Sequence, residues 1–579
     1  MFRFSARPNR AHLVNWREWG TEPFQEAREQ GRLVALFITA FWCGFCQRMD
    51  EDALSSDEVI TLLNGFFVPI RVEESQRPDV DLRYNQNGWP TIVFMTPEGG
   101  QLFTVNYMDP DPFANILAKT VNLYQQDKQA LLESASPVHG GLGGRQENED
   151  TAPLAPPLLA EIAGMVEGLA DRDNGGFGTQ FKFLHTEANE LLFYLFEATG
   201  EAGYLDHVIF TLDKIRRSAT FDGKDGGFFR YSSHSDWNEP HPEKLLEDQA
   251  NLLKNFLHAY LLTGDAGHRE SAVGLIEYMA STLWDGSKQA FHGCQDYLRE
   301  IASPAEASRL SPMVSVIDEY VYCDANARAA SAYLDAWWVL GRDDCLERAQ
   351  QILESLWRDL RAPAGGMFHY SAGEPRAPGM LTDAVAAGTA FLDAYAVTNQ
   401  QDQLDRAKKL AAEIVDLHRG AQGGFLDISH EISLTGPASL QIPIPVLTQN
   451  ALAAAFFVRL ADLTGDLSQR ENAVWALESF PNSHRQFGAF AAGFGHALGR
   501  LLALPLVVTV AGEPGSQEVR ALARAALTQL GHSDVVLRFR QEPGNGPARA
   551  EFHFEGRIAG SITRPEQITP DGVRQLGQT

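Results

Sequence analysis

The N-terminal part of the chain alternates between short, continuous apolar runs and amphipathic segments. This pattern is typical of strands buried in a sheet and of the helices that cover it. The apolar runs predict strands at Leu33–Thr39, Phe66–Val72, Thr91–Met95 and Gln101–Val105. The last two flank a Pro-Glu-Gly-Gly turn, which indicates a hairpin, and Asp111–Tyr124 predicts a closing helix. We therefore predict an α/β domain over residues 1–132 and a linker, rich in Gly, Pro and acidic residues, over 133–156.

From Pro157 to Ala503 the apolar positions follow helical spacing, and short patterns recur. Glycine pairs precede an apolar residue at Gly175-Gly176, Gly226-Gly227, Gly365-Gly366 and Gly423-Gly424. The spacing of these patterns predicts six helical hairpins. Outer helices are expected to begin near Pro157, Glu201, Gly267, Arg342, Gln400 and Leu467. Inner helices are expected to begin near Thr186, Glu247, Asp324, Asp383, Thr448 and Phe487.

The predicted inner helices are apolar on nearly every side, as Ala325–Leu340 and Ala451–Leu463 show. A helix of that kind is buried on both sides. Six hairpins that close on themselves form an (α/α)6 barrel, which we predict for residues 157–503. Because glycine adopts positive φ without strain, the glycine pairs allow the loops to fold back over one mouth of the barrel.

The C-terminal region, residues 504–579, returns to a pattern of strands and helices. Its strands are predicted at Leu506–Ala511, Val535–Arg540 and Ala550–Phe554, with a helix at Val519–Leu530. It is predicted to be a small α/β region, and it carries no recognisable motif.

Charge and composition narrow the range of functions. The chain has 48 Lys and Arg against 75 Asp and Glu, a net charge of −27. Nucleic acid is therefore not an expected partner, because a phosphate backbone calls for clustered basic side chains. No apolar run is long enough to span a bilayer, and Met1–Arg10 lacks the apolar core of a signal peptide. We expect a cytoplasmic protein without membrane association.

The sharpest motif is Trp42-Cys43-Gly44-Phe45-Cys46, which follows an apolar strand and opens a helix. Free N–H groups at a helix N-terminus favour a thiolate, so Cys43 is predicted to be a nucleophile. Cys46, one turn later, is predicted to resolve the mixed disulfide. Pro90 resembles the cis-proline that faces the cysteine pair in thioredoxin-like folds.

The alternative interpretation of this motif is that the two cysteines form half of a zinc site. Zinc takes about four ligands, and Cys294, Cys323 and Cys345 are isolated, without a second Cys-x-x-Cys. We therefore expect neither a metal nor a cofactor. Thioredoxin itself has a buried carboxylate on the strand that leads into its cysteine pair. The matching position here is Phe37, so the group that deprotonates Cys46 is not identified.

Several motifs occur in a fixed order along the chain. They include Asn15-Trp16, Trp19-Gly20, the cysteine pair, Arg77-Pro78-Asp79-Val80-Asp81, Gly88-Trp89-Pro90, Gly175-Gly176-Phe177-Gly178, Lys182-Phe183, Arg230-Tyr231-Ser232 and Glu243-Lys244. On these motifs the chain resembles the spermatogenesis-associated protein 20 family, which includes bacterial YyaL-like proteins. The resemblance covers about residues 10–503. It implies a thioredoxin-like domain joined to a barrel of the six-hairpin glycosidase type, and it implies fold more than function.

The chain departs from this family at several positions. Gly44 and Gln47 stand where the family typically has His residues around the cysteine pair. An Asp-rich stretch after the second glycine turn is reduced to Asp296, and a Cys pair near the C-terminus is absent. The loss of aspartates weakens a hydrolase interpretation.

A second site is predicted at the barrel mouth, on loops and first helical turns at the glycine-turn end. Its residues are Lys182, Arg230, Tyr231, Trp237, His241, Glu243, Lys244, Asp248 and Asp324. Aromatic faces and carboxylates suit a sugar, and glycoside hydrolysis needs two carboxyl groups placed across one bond. Epimerisation would instead need paired bases, for which His185, His241, His369 and His430 are available.

These residues also have a structural interpretation. Asp248, Asp324 and Asp383 fall at helix starts, where acids cap N–H groups and complement the dipole. Lys182 and Lys244 are equally suited to ion pairs. Phenylalanines after the glycine turns fill a core more often than they stack on a sugar.

The leading hypothesis is a protein of two modules and a small C-terminal α/β appendage. An α/β thioredoxin-like domain would exchange disulfides with a protein thiol partner, and an all-α (α/α)6 barrel would bind or process a sugar-like small molecule as a glycosidase or epimerase does. The alternative is a non-catalytic binding or scaffold protein that retains both folds. Phe37 and the lost aspartates favour the alternative, whereas the intact cysteine pair and Pro90 favour the enzyme.

Overall fold

The computed structural model describes residues 2–85, 87–136, 153–298, 314–429, 443–480, 483–504, 506–513, 516–531, 535–542, 547–554 and 557–576. Most of the predicted linker, and His430, lie outside these residues. The chain forms two compact units. One comprises Met1–Gly144, Asp296–Val316 and His430–Ile444, and the other Arg145–Gln295, Ile317–Ser429 and Pro445–Thr579. Within the described residues, no helix is sufficiently long and apolar to cross a membrane.

The first unit is built on a four-stranded sheet of order β2-β1-β3-β4. Its strands are β1 Leu33–Thr39, β2 Phe67–Glu73, β3 Thr91–Met95 and β4 Gln101–Val105. Its helices are α1 Thr21–Gln30, α2 Gly44–Glu51, α3 Asp57–Phe66, α4 Pro78–Tyr84, α5 Pro110–Gln126 and α6 Lys128–Glu133. β1 is parallel to β2 and antiparallel to β3, and β3 is antiparallel to β4.

Every residue of β1 is buried, because apolar cores lie on both faces of the sheet. Ala35 and Phe37 point into a core with Phe113 of α5, and Leu36 and Ile38 point into a core on the other face. A central strand buried on both faces is a continuous apolar run, which is why the sequence predicted it. The predicted thioredoxin-like α/β fold is confirmed.

The second unit alternates outer and inner helices. The outer helices are α7 Pro156–Gly168, α9 Ala202–Arg217, α11 Ala266–Tyr278, α13 Asp343–Asp359, α15 Gln401–His418 and α17 Ser468–Leu477. The inner helices are α8 Thr186–Thr199, α10 Leu246–Thr263, α12 Cys323–Leu340, α14 Leu381–Thr398, α16 Leu447–Thr464 and α18 Ala492–Leu502. Each inner helix packs against the next, and α18 packs against α8, so the ring closes. The predicted (α/α)6 barrel is confirmed.

The loops between outer and inner helices carry short strands. They are β5 Lys182–Phe183, β6 Tyr231–Ser232, β7 Lys244–Leu245, β8 Trp284–Asp285, β9 Ala290–Phe291, β10 Cys294–Leu298, β11 Val314–Asp318, β12 Val321–Tyr322, β13 Phe368–Ser371 and β14 Pro375–Pro378. β5 pairs with β6, β7 with β10, and β13 with both β12 and β14. Six of these ten strands have only two residues, which are too few to leave a period in the sequence.

Inner-helix amides hold the glycine-turn loops in place. The side chain of Gln249 accepts a hydrogen bond from the N–H of Phe228 and donates one to its carbonyl, both at 2.8 Å. Asn450 holds Phe425 in the same way, at 2.6 and 2.8 Å. The phenylalanines after the turns are buried, as their structural interpretation predicted. Gln249 and Asn450, each near the start of an inner helix, thus clamp the glycine-turn loop that precedes that helix.

The C-terminal region forms a four-stranded sheet of order β16-β15-β17-β18. Its elements are β15 Leu506–Gly512, α19 Gln517–Leu530, β16 Val535–Gln541, β17 Arg549–Phe554, β18 Arg557–Ile562 and α20 Pro570–Leu576. It packs on the barrel within the same unit, where Phe539 meets Trp337 edge-on with ring centroids 5.4 Å apart. The α/β appendage is confirmed, and β18 and α20 are additions to the prediction.

Candidate functional site

The cysteine pair lies at the start of α2. Cys43 is the N-cap residue, and its sulfur accepts a hydrogen bond from the N–H of Cys46 at 3.1 Å. The two cysteines are joined as a disulfide, and 7% of Cys43 and 3% of Cys46 are exposed. In the reduced state, the same N–H group and the positive end of the helix dipole would stabilise a Cys43 thiolate.

Trp42 and Pro90 lie beside the cysteine pair, as predicted. The rings of Trp42 and Trp89 meet edge-on at 5.0 Å, which brings the cysteine loop next to the loop of Pro90. The Trp89–Pro90 peptide bond is cis. Phe45, between the two cysteines, is 53% exposed and lies 5.4 Å from the ring of Tyr107. An exposed phenylalanine in contact with a partly exposed tyrosine therefore borders the disulfide.

A buried ion pair lies beneath α2. Asp50 follows Cys46 by one helical turn and accepts two hydrogen bonds from Arg71, at 2.8 and 2.9 Å. Arg71 is the β2 partner of Phe37 on β1. A charged pair therefore lies next to the position where thioredoxin has its single carboxylate. Asp50 was not among the predicted site residues, although its place on the apolar face of α2 is a signal that the sequence carries.

A second buried carboxylate reaches the cysteine loop from a distant part of the first unit. The side-chain amide of Gln47 donates to the carbonyl of Phe41 and to a carboxylate oxygen of Asp296, both at 3.1 Å. Asp296 is 2% exposed. It is the residue left from the Asp-rich family stretch, and its separation from Gln47 along the chain leaves no local sequence signal for this contact.

Lys182, Lys244 and Trp237 were predicted at the barrel mouth but have no exposed surface at all, and this corrects the prediction for them. Lys182 lies 2.7 Å from Asp171, and Lys244 lies 2.6 Å from Asp222. Each lysine also donates to a glycine-turn carbonyl. Because these turns point carbonyl oxygens inward, they need a buried donor. The ion-pair interpretation of both lysines was therefore the right one.

The third buried residue is Trp237. It has no exposed surface, its Nε1 donates to the carbonyl of Asn174 at 3.0 Å, and its ring covers Gly176. The sequence predicted a ring facing a sugar, but the indole fills the space that the glycine leaves. Trp237 therefore stabilises the first glycine turn.

Four further predicted residues form one cluster. Glu243 is buried and lies 3.7 Å from Arg230 and 4.0 Å from His241. The ring of Tyr231 stacks on His241 at 4.2 Å and on Phe183 at 4.9 Å. Tyr231 lies between two rings, and the side chain of His241 at one end of this stack is 38% exposed.

Asp248 lies in the first turn of α10 but does not cap it. The N-cap residue is Leu245, and Asp248 Oδ2 is buried without a hydrogen-bond partner among the described residues. Burial raises the pKa of Asp248 to about 8, since the lowering effect of Arg230 is opposed by Glu247 and Glu187. Asp248 therefore carries a proton at neutral pH, as a general acid must.

Glu247 lies in the first turn of α10 and Arg328 in the second turn of α12, and neither was predicted as a site residue. Arg328 Nε lies 3.4 Å from a Glu247 oxygen, and the Glu247 side chain is 45% exposed. Arg328 lowers the pKa of Glu247, but partial loss of hydration around the carboxylate and the charges of Asp324 and Glu187 outweigh it, so this pKa lies above its usual value. Acidic groups and an arginine thus meet at the N-terminal ends of neighbouring inner helices.

Asp324 joins a group of three potential metal ligands with His369 and Asp383. One ligand atom of each lies within 4.8 Å of the others. His369 Nδ1 is 3.0 Å from both carboxylate oxygens of Asp383. Neither aspartate is an N-cap, since Tyr322 and Met380 occupy those positions. From the sequence, His369 was predicted only as a possible base and Asp383 only as a cap.

His185, another candidate for epimerisation, is surrounded by aromatic rings. It meets Phe177, Phe183 and Phe490 with ring centroids 6.0, 6.1 and 5.0 Å apart. Burial lowers the pKa of His185, so its imidazole is neutral near pH 7. His430, the remaining candidate, lies outside the described residues.

Comparison with known proteins shows one matching family model and several similar relatives. Residues 7–142 match the model of a thioredoxin-like family described as "Protein of unknown function, DUF255". Human spermatogenesis-associated protein 20 is 29% identical over 293 residues, which are 47% of this chain and 37% of the human protein. The rat protein is 27% identical over 292 residues, with the same coverage. The chain is thus similar to spermatogenesis-associated protein 20 over about half of its own length. The match spans less than two thirds of the length of these relatives.

Solved structures with similar helical arrays share little sequence with this chain. Cellobiose 2-epimerase from Bacillus thermoamylovorans has a TM-score of 0.45 at 12% identity, over 56% of this chain and 86% of its own. An α-1,6-mannanase from Salegentibacter has a TM-score of 0.39 at 16% identity, over 55% of this chain and 85% of its own. The barrel assignment above therefore rests on the helix contacts of the chain itself.

Proposed function

We propose that the chain is a thiol–disulfide oxidoreductase that acts through Cys43 and Cys46 on a protein partner. The observation that carries this proposal is the position of Cys43 at the N-cap of α2, where its sulfur accepts the N–H of Cys46. A helix N-terminus lowers the pKa of a thiol and raises the thiolate fraction. The exposed ring of Phe45 offers an apolar contact for the segment that carries the substrate disulfide.

The reaction transfers two electrons from the cysteine pair to the substrate. The Cys43 thiolate attacks one sulfur of the substrate disulfide, which forms a mixed disulfide and releases the other sulfur as a thiolate that takes up a proton. Cys46 loses its proton and attacks the Cys43 sulfur, and the second substrate sulfur leaves. The product is the Cys43–Cys46 disulfide. An external dithiol returns it to the reduced form.

Reduction of insulin disulfides by the full chain, with dithiothreitol as the electron source, tests this proposal. We expect Cys43→Ser to abolish the activity above the dithiothreitol background and Cys46→Ser to accumulate a mixed disulfide, detectable by mass spectrometry. Cys345→Ala, at a buried cysteine of α13, is the control and should retain activity. Activity that survives in Cys43→Ser, or a parent chain no faster than dithiothreitol alone, would contradict the proposal.

We also infer a second function, acid–base chemistry on a sugar-like ligand at the barrel mouth. The favouring observation is Asp248, whose Oδ2 is buried without a hydrogen bond among the described residues and which is protonated at neutral pH. Such a carboxyl group can give a proton to a leaving or ring oxygen. Arg230 and the outer ring of His241 supply a hydrogen-bond donor and an aromatic surface for a polyhydroxylated ligand.

A screen of mono- and disaccharides against the full chain, read by thermal shift and confirmed by calorimetry, tests the second function. Asp248→Asn should leave binding of a hit within about threefold, because Asn keeps the shape, but should abolish its turnover. Asp206→Asn, an exposed carboxyl of α9, is the control. If Asp248→Asn turns over a hit like the parent, or no saccharide binds, the barrel does not act in this way.

A further inference from the structure

Three side chains from three elements of the barrel unit converge on one point. Asp324 is in the first turn of α12, Asp383 is in the first turn of α14, and His369 is on β13. One oxygen or nitrogen atom of each lies within 4.8 Å of those of the other two. The helices α12 and α14 pack directly against each other, which brings the two carboxylates together.

Because the site is largely buried, its two carboxylates are stabilised only if positive charge lies close to them. Asp383 has no exposed surface and His369 is 4% exposed. Tyr322 and Tyr370 surround the imidazole, with ring centroids 5.8 and 6.2 Å from it. Two carboxylates that share a site of low dielectric repel each other unless a cation lies between or beside them. Arg328 adds positive charge nearby, but its Nε faces Glu247 at 3.4 Å.

The donor set indicates which cation would fit. An imidazole nitrogen with two carboxylate oxygens suits Zn²⁺ or Mn²⁺, whereas Mg²⁺ and Ca²⁺ favour sites made of oxygen alone. Among the described residues three protein ligands face this point, and a zinc ion held by three protein ligands keeps a coordination position open, which is the pattern of a reactive rather than a purely structural site. Asp324 is the partly exposed member of the group, so the open side is the one where Asp324 meets solvent.

We propose that Asp324, His369 and Asp383 bind one first-row divalent cation, with Zn²⁺ the preferred occupant. The site goes beyond both proposed functions, since neither the cysteine chemistry nor the Asp248 proton needs a metal. It also departs from the expectation, drawn from the sequence, that the chain has no metal. The residues are 45 and 14 positions apart along the chain, a spacing that matches no metal motif, so only the fold brings them together.

Zinc binding to the full chain, stripped with EDTA, tests the proposal directly. The Cys43–Cys46 pair is kept oxidised so that its sulfurs cannot take up metal. Calorimetry should show one Zn²⁺ per chain, with weaker binding of Mg²⁺. Asp383→Asn and His369→Ala should each weaken binding by more than about 100-fold, because changes to residues that merely support metal ligands already cost about 10–100-fold. Asp402→Asn, an exposed carboxyl of α15, should bind like the parent.

Circular dichroism checks that each variant folds. Asp324→Asn alters the partly exposed ligand and is the test variant if the substitutions of the buried ligands prevent folding. It too should weaken zinc binding. Replacement by Co²⁺ should add visible absorption bands that Asp324→Asn removes. If the stripped chain takes up no stoichiometric Zn²⁺, or if Asp324→Asn and Asp383→Asn bind it like the parent, His369 and Asp383 form only an ion pair and the proposal is wrong. Because the readout is metal uptake, it does not depend on either proposed activity.

Discussion

Asp248 shows what burial does to a single carboxyl group. The charges nearest to it come from its own helix, from Glu187 of α8, and from Arg230 and Glu243 in the preceding loop. None of them gives Oδ2 a hydrogen bond within the described residues. A carboxyl group in this setting is kept neutral. At a pH where an exposed carboxyl group would be charged, this lowers the free energy of unfolding.

This leads to a pH-dependent prediction for Asp248→Asn. The folded-state pKa of Asp248 is raised to about 8, while the unfolded value is about 3.9. Between these two pH values the folded chain keeps a proton that the unfolded chain has lost, so the free energy of unfolding falls as pH rises through this window. Asparagine has no such penalty, so the variant should gain stability relative to the parent from about pH 4 up to about pH 8.

Urea denaturation of both chains at about pH 5 and about pH 9 measures this effect. The free energy of unfolding of Asp248→Asn should exceed that of the parent by a clearly larger amount at the higher pH. Asp206→Asn, on the exposed side of α9, should show the same small difference at both. A variant whose advantage does not change with pH would mean that Asp248 titrates like an exposed carboxyl group.

At the scale of the element, the glycine turn is the unit that the barrel repeats. Each turn places two glycines at positive φ and then buries an apolar side chain. Gln289 takes the positive-φ position in the turn before Phe291, where the chain has no glycine pair. Asn326 clamps Phe291 with hydrogen bonds of 2.7 and 3.0 Å. The clamp thus identifies a turn that the glycine pattern alone did not predict.

Two glycines with similar φ values but different surroundings allow the stability cost of backbone strain to be measured separately from the cost of overpacking. Gly227 and Gly366 have φ values of 76° and 67°. A Cβ at Gly227 would lie 2.7 Å from the ring of Tyr278, whereas a Cβ at Gly366 would meet nothing within 4 Å. Gly366→Ala should therefore lose about 1–2 kcal/mol for its left-handed backbone. Gly227→Ala should lose a further 1–3 kcal/mol, about the cost of overpacking.

Chemical denaturation of the two alanine variants at one pH checks this pair. Gly366→Ala is the matched control, since it carries the same backbone penalty. Equal losses for the two variants would show that Tyr278 moves aside without cost and that the second turn is loosely packed.

At the scale of the whole molecule, the barrel depends on the contact that closes its ring. That contact joins the last inner helix, α18, to the first, α8. Glycines allow the approach, because a Cβ at Gly499 would overlap the ring of Tyr194, and one at Gly495 would lie 2.8 Å from Ile162 of α7. Stability of the barrel is therefore expected to be sensitive to the size of the residue at position 499.

Gly499→Ala and Gly493→Ala test this closure on one helix. A Cβ at Gly493 would meet nothing within 4 Å, so alanine there should raise stability by up to about 1 kcal/mol through helix propensity. Alanine at Gly499 should instead lower it by about 1–3 kcal/mol, because it forces α18 away from α8. Calorimetric melting temperatures should move in opposite directions. An increase for both variants would mean that α8 and α18 do not pack tightly.

The order and type of the main elements were predictable from the sequence, since they follow from local periodicity. β1 is a continuous apolar run because it is buried on both faces. The inner helices are apolar all round because they pack against two layers. The repeated hairpins fit either a stacked array or a closed ring, and the contact between α18 and α8 shows that the ring closes. Short strands such as β5 and β7 left no signal, because two residues are too few to show a period.

The role of each polar residue was decided only by the tertiary structure. Lys182 and Arg230 lie on similar loops, yet one is sealed beside Asp171 and the other keeps 21% of its side chain exposed. Gln47 reaches Asp296, and Asp324 reaches His369 and Asp383, across separations that leave no local pattern. The physical reason is that charge is costly to bury, so the fold either pairs a charged group or leaves it in reach of solvent. Which of these outcomes applies depends on neighbours that are remote in the chain.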